Sequence, residues 1–193
     1  MQLLALDIAI LPPPEVRARA IELSAALPAS ESHGLRLGDE HLPHITLAQL
    51  FIRADERELA FEKVDDVLRG QAPLSLRVTG GGKGASSVWI AIEPSPELRD
   101  LHDRLMEALR GVERPGGTVA AFAGGDARVG DVMWVASYRM KESFGAYRPH
   151  MTLGHANEPP DVTPMIFNAA TIAACHLGRY CSCREILRSW SLI

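Results

Sequence analysis

Pro43-His44-Ile45-Thr46-Leu47 is echoed more than a hundred residues later by Pro149-His150-Met151-Thr152-Leu153. A short pattern repeated once at long range points to two related structural units facing each other, and the remaining segments fall into place around it. Both copies open stretches rich in aliphatic and β-branched residues, so both predict strands. Side chains alternate faces along a strand, which sends His44 and Thr46 one way and Ile45 and Leu47 the other; His150 and Thr152 oppose Met151 and Leu153 in the same manner. Each copy thus presents an imidazole beside a hydroxyl on one face, anchored by apolar side chains behind. By the same alternation His155, five residues beyond His150, is expected to face away.

Outward from the repeat, the unbroken apolar run at 3–11 predicts a buried strand stopped by Pro12-Pro13-Pro14. Residues 15–27 predict a helix carrying Val16, Ala20, Leu23 and Leu27 on one face. A second helix is expected over 54–68, with Leu59, Val64 and Leu68 inward, and a third over 96–109. Residues 74–78 and 88–92 read as a hairpin joined across Gly80-Gly81-Gly82-Lys83-Gly84, a run that lacks the G-x-x-x-x-G-K-[ST] order of a phosphate loop. Residues 132–138 and 148–155 read as extended, and 165–177 and 181–192 as a closing pair of strands turning near Gly178. The Gly- and Ala-rich segment 115–130 reads as a loop that orders around substrate, with Phe122 either an exposed stacking platform or a buried anchor. Strands and helices mix without strict β-α-β alternation, which predicts an α+β fold: one domain over 1–193 made of two lobes.

Composition narrows the function. The 193 residues carry 20 Lys and Arg against 24 Asp and Glu, a formal charge of -4, which excludes a broad electrostatic grip on a long nucleic-acid backbone. Any nucleic-acid substrate is expected to be short or held at one end. No apolar run reaches the ~18 residues of a membrane span, and the opening stretch, interrupted by Asp7 and lacking a basic start, does not read as a secretory signal, so a cytoplasmic address is expected. A monomer is expected as a separate matter, on which these features do not bear. Cys175, Cys181 and Cys183 are an odd count and read as reduced thiols; with His176 they match no familiar zinc-ligand spacing.

Two imidazoles, with ordinary pKa near 6.5, can divide proton transfer at neutral pH, one accepting a proton while the other donates. Displacement at phosphorus needs that division, and threonine hydroxyls can donate to the non-bridging oxygens as charge builds. The paired motifs resemble the H-x-T-x signatures of the 2H phosphoesterase superfamily, which includes 2'-5' RNA ligases and RNA 2',3'-cyclic phosphodiesterases, and Trp134-Val135-Ala136-Ser137-Tyr138 followed by Tyr147-Arg148-Pro149-His150 is similar to that family's second-motif region. The resemblance implies a bilobal fold of two mainly antiparallel sheets, related by a pseudo-twofold around a central cleft, with helices outside. It implies His44 and His150 as acid and base and Thr46 and Thr152 on the phosphate. The implied reaction opens 2',3'-cyclic phosphates of RNA ends or small nucleotides to 2'-phosphates, with no metal and no cofactor. Arg148, two residues before His150, is a candidate phosphate or ribose contact; Tyr147 is a candidate for base stacking or for the core. Two alternatives stand beside hydrolysis: 2'-5' RNA ligation by the same residues, and a non-catalytic module that binds RNA or a nucleotide.

Overall fold

In the computed structural model, which describes residues 2–193, the apolar run forms strand β1 (Leu3–Leu11), buried over most of its length. Helix α1 (Pro14–Ala26) follows, starting at a proline whose missing N–H costs nothing in a first turn. Strand β2 (Ile45–Arg53), helix α2 (Arg57–Leu68), strands β3 (Leu74–Lys83) and β4 (Ser87–Ile92) and helix α3 (Pro96–Leu109) come next. Helix α4 (Val129–Lys141) leads to strands β5 (His150–His155), β6 (Met165–Ala169), β7 (Thr171–Leu177) and β8 (Cys183–Ser191). Two four-stranded antiparallel sheets result, ordered β2-β1-β7-β8 and β5-β4-β3-β6, and with helices outside them this is the expected α+β fold. One continuous apolar cluster joins them, from Ile8, Ile45 and Leu50 in the first sheet to Leu76, Ile90 and Met151 in the second.

The motif strands β2 and β5 hold the same place, each at the edge of its sheet beside the strand that precedes it in its lobe. The helices cross over: α1 packs on β5 and α3 packs on β2. Neither lobe is complete alone. Among the described residues no helix is long and apolar enough to cross a membrane.

Four expectations are corrected. Residues 132–138 are helical, not extended. Asp131, Val135 and Tyr138 are the buried positions, a helical spacing, and the Asp131 carboxylate accepts from the Arg128 backbone N–H at 2.8 Å to close the first turn. The glycine run is not the hairpin turn: β3 continues through it to Lys83, and the turn closes with Gly84 N–H donating to the Ser87 carbonyl. A Cβ on Gly82 would overlap the Trp89 indole nitrogen, so the indole occupies the space the glycine leaves. Residues 165–177 break at Ala170 and change sheets, β6 pairing with β3 and β7 with β1, because the segment must close both lobes. Finally, α2 buries Ala60, Phe61, Val64 and Leu68, leaving Leu59 exposed. The 115–130 segment remains outside strands and long helices up to residue 128, and Phe122 is its buried anchor, edge-on to Phe51 at 5.8 Å.

Candidate active site

The two motif histidines are held in the same way. His44 Nδ1 lies 2.7 Å from the Leu42 carbonyl and His150 Nδ1 lies 2.8 Å from the Arg148 carbonyl, in both cases two residues upstream. A carbonyl only accepts, so the hydrogen of each neutral ring sits on Nδ1, and Nε2 is left with a lone pair. Burial disfavours the imidazolium in both, pushing His44 down to about 4 and lowering His150. The resting pair is therefore neutral at pH 7. His44, Thr46, His150 and Thr152 all line one cavity of about 490 Å³ between the lobes. The Trp89 ring, seated over Gly82, supports His150 from behind with ring centroids 5.1 Å apart.

Immediately after each threonine the alternation breaks. Ile8 pairs with Ala48 and Ala9 with Thr46, leaving Leu47 as an extra residue; Val88 pairs with Gly154 and Trp89 with Thr152, leaving Leu153. These are β-bulges at the same place in both copies. Leu47 and Leu153 stay buried, and their carbonyls are met from the crossed-over helices: His102 Nδ1 of α3 lies 2.6 Å from the Leu47 oxygen, and Ser24 Oγ of α1 donates to the Leu153 oxygen at 2.6 Å. Each lobe thus fastens the other's motif strand. His102 Nε2 in turn accepts from the Phe144 N–H, which fixes its neutral tautomer.

The bulges overturn the expectation for His155. The extra residue restores it to the cleft face, where it lines the cavity and stacks on His33 with centroids 4.7 Å apart. Its counterpart five residues after His44 is Gln49, also on the cavity wall. Across the ladder from these two stand Asp7, paired with Gln49, and Ser87, paired with His155. Sequence reasoning missed all three of Asp7, Gln49 and Ser87. The available signal was a carboxylate in the middle of an apolar strand, which demands partners.

Those partners are present. Thr46 Oγ1 donates to Asp7 Oδ2 at 2.8 Å, Gln49 Nε2 donates to the same oxygen at 2.8 Å, and His44 Nε2 lies 3.7 Å from it. Burial outweighs these donors and pushes the Asp7 carboxyl up to about 7. Asp7, His44 and Cys183 bring donor atoms within 4.8 Å of one another, as no other His, Cys, Asp or Glu trio does among the described residues. Two hydrogen-bond donors already occupy the carboxylate oxygen and burial raises the Cys183 thiol pKa, so the arrangement reads as a hydrogen-bonded network. Cys175, Cys181 and Cys183 are free thiols.

The two remaining sequence candidates part company. Arg148 is exposed at the cavity wall, free of the core. Tyr147 is 3% exposed, with its ring stacked on His102 at 3.8 Å and its hydroxyl donating to the Thr46 carbonyl. It ties the approach to one motif to the backbone of the other. Helix α4 closes the cavity with Asp131, Trp134 and Tyr138.

Two edge strands thus deliver imidazole and hydroxyl pairs into one interlobe cleft. The sequence matches the 2'-5' RNA ligase superfamily over residues 12–176, and the chain belongs to that family of 2H phosphoesterases. Escherichia coli LigT has the same fold: its complex with ATP aligns at a TM-score of 0.64 and 18% identity, covering 100% of this chain and 99% of LigT. Its complex with 3'-AMP aligns at 0.62 and 20% identity over 99% of both. TT0787 of Thermus thermophilus aligns at 0.60 and 19% identity over 98% of both. Comparison with curated proteins finds no match. Membership of the family supports phosphodiesterase- or ligase-type catalysis in general.

Proposed function

We propose that the chain is a phosphodiesterase that hydrolyses 2',3'-cyclic phosphates, at RNA ends or in small nucleotides, to 2'-phosphates without a metal ion. The observation that carries this reading is the matched pair of imidazoles, each pinned through Nδ1 with Nε2 free, on the walls of one cavity. One Nε2 accepts a proton from water as its oxygen bonds to phosphorus; the other, which takes up a proton from solvent as the anionic phosphate binds beside it, gives that proton to the ribose 3' oxygen as the P–O3' bond breaks. Thr46 and Thr152 face the non-bridging oxygens, and Arg148 supplies charge at the rim. Tyr147 acts by positioning, through the Thr46 backbone. The nucleotide and phosphate ligands of the LigT structures fit a cleft of this chemistry.

The test is product analysis with EDTA present, using the four 2',3'-cyclic nucleotides and a short RNA ending in a cyclic phosphate. Release of a 2'-phosphate by the parent and not by His44→Ala supports the reading; no release from any of them overturns it. The family's description favours one second reading, ligation of 2'-5' RNA ends, which is the reverse of a cleavage by the same two groups. A joined product from cleaved RNA halves, in place of hydrolysis, would select it.

A further inference from the structure

The half-sites share a signature but not a supporting strand. β1 places Asp7 beside Thr46 and Gln49, whereas β4 places Ser87 at the corresponding position beside Thr152 and His155. A threonine hydroxyl has one hydrogen. In this structure Thr46 gives it to Asp7 Oδ2, while Gln49 Nε2 spans the pair, 2.8 Å from Oδ2 and 3.3 Å from Thr46 Oγ1. Asp7 Oδ1 and Gln49 Oε1 are buried without a partner among the described residues, so the carboxyl is under-satisfied as an anion.

We propose that Asp7 is a positioning residue that decides where Thr46 directs its hydrogen. When Asp7 is ionised, the hydroxyl donates to the carboxylate and turns its lone pairs toward the cleft. When Asp7 holds a proton, the acid donates to Thr46 Oγ1 and frees the threonine hydrogen for a phosphate oxygen. No bond to carbon or phosphorus changes; one proton is taken from solvent and one hydrogen bond reverses. The proposal rests on the cleft being a phosphate site, and it makes the first half-site a donor that weakens as pH rises while the second stays constant.

The groups around Asp7 do not oppose this. His44, immediately before β2, is 3.7 Å away, and burial holds it neutral near pH 7. Cys175 from β7 is its register partner. Cys183 from β8, Cys181 beside it, Tyr138 from α4 and Tyr147 before β5 are the other titratable groups that sense its charge, and all four are pushed up by burial, hence neutral. Among the described residues no Lys or Arg pairs with Asp7 to hold it ionised.

The experiment measures sulfate binding, and KM for a cyclic nucleotide if one is turned over, across a pH series spanning neutrality for the parent, Asp7→Asn, Thr46→Val and Thr46→Ser. Sulfate keeps its charge over that range. The parent is expected to lose about tenfold in affinity as pH rises through neutrality, the worth of one hydrogen bond to an anion. Asp7→Asn, whose amide donates to Thr46 as the acid would, should hold the higher affinity throughout; Thr46→Val should be weak at every pH, and Thr46→Ser should restore the slope. A parent-like slope in Asp7→Asn or in Thr46→Val overturns the proposal, as does a parent that binds no sulfate. A readout independent of turnover is the carboxyl ¹³C resonance of Asp7. It should titrate near neutrality and move to higher pH on adding sulfate or in Thr46→Val; an ordinary carboxylate midpoint overturns the proposal even if cyclic phosphates are hydrolysed. Absence of hydrolysis with the binding and resonance results intact would instead fault the assigned reaction.

Discussion

The two halves of the cleft differ less in backbone than in chemistry. Each presents His, Thr and a bulged Leu at the same positions, each pins its histidine through the carbonyl two residues back, and each has its bulge carbonyl capped by the other lobe's helix. Beneath that likeness, one half rests on a buried carboxyl and a glutamine, the other on a serine and a histidine. Repetition of a motif therefore fixes where groups are placed; the strand beside it determines how they behave. A reaction that takes a proton on one side and gives one on the other is served by halves of equal geometry and unequal surroundings.

Removing either imidazole tests the likeness. His44→Ala and His150→Ala should each cost about 10²–10⁴ in kcat for release of 2'-phosphate, and a large loss in only one of them would break the equivalence of the halves. The threonines test the difference. Thr152→Val should cost about 10²–10³ in kcat, the effect of removing one donor from a developing oxyanion, while Thr46→Val should cost less above neutral pH, where Asp7 already holds its hydrogen. Equal pH-independent losses would show the halves to be alike.

The crossed-over caps can be compared by denaturation. Ser24→Ala leaves the Leu153 carbonyl without its partner and should destabilise by about 1–3 kcal/mol; His102→Ala should exceed it, because it also opens a cavity beneath Tyr147. A smaller change is expected in how stability depends on pH. Because burial raises the Asp7 carboxyl above its ordinary value, its favourable effect is full below about pH 4 and fades as pH rises toward about 7. His44 and His150 are lowered, so their contribution fades in the opposite direction, as pH falls below about 6.5. The parent should show a shallow profile, and Asp7→Asn should gain on it between about pH 4 and pH 7 in thermal melts.

Much of the fold is written in local sequence. The 3–11 strand, the helices near 15–27, 54–68 and 96–109 and the α+β class follow from apolar spacing and from prolines and glycines at element ends, all local properties. Residues 132–138 read as extended because Val132, Trp134 and Val135 are equally at home in a strand; burial of Asp131, Val135 and Tyr138 against neighbouring elements decides for helix. The glycine run reads as a turn until Trp89 is seen filling the space above Gly82.

What the chain determines by itself is the pair of His-x-Thr strands and the side of each strand that carries the chemistry, because alternation over two residues is a property of the extended backbone. The wall behind them exists only once the two lobes are assembled. Each bulge shifts the parity by one residue, returning Gln49 and His155 to the cleft, and sheet register brings Asp7 and Ser87 across from strands distant in sequence. Bulges form where the opposite helix can satisfy the freed carbonyl, so their positions depend on contacts between lobes and cannot be read from either segment alone.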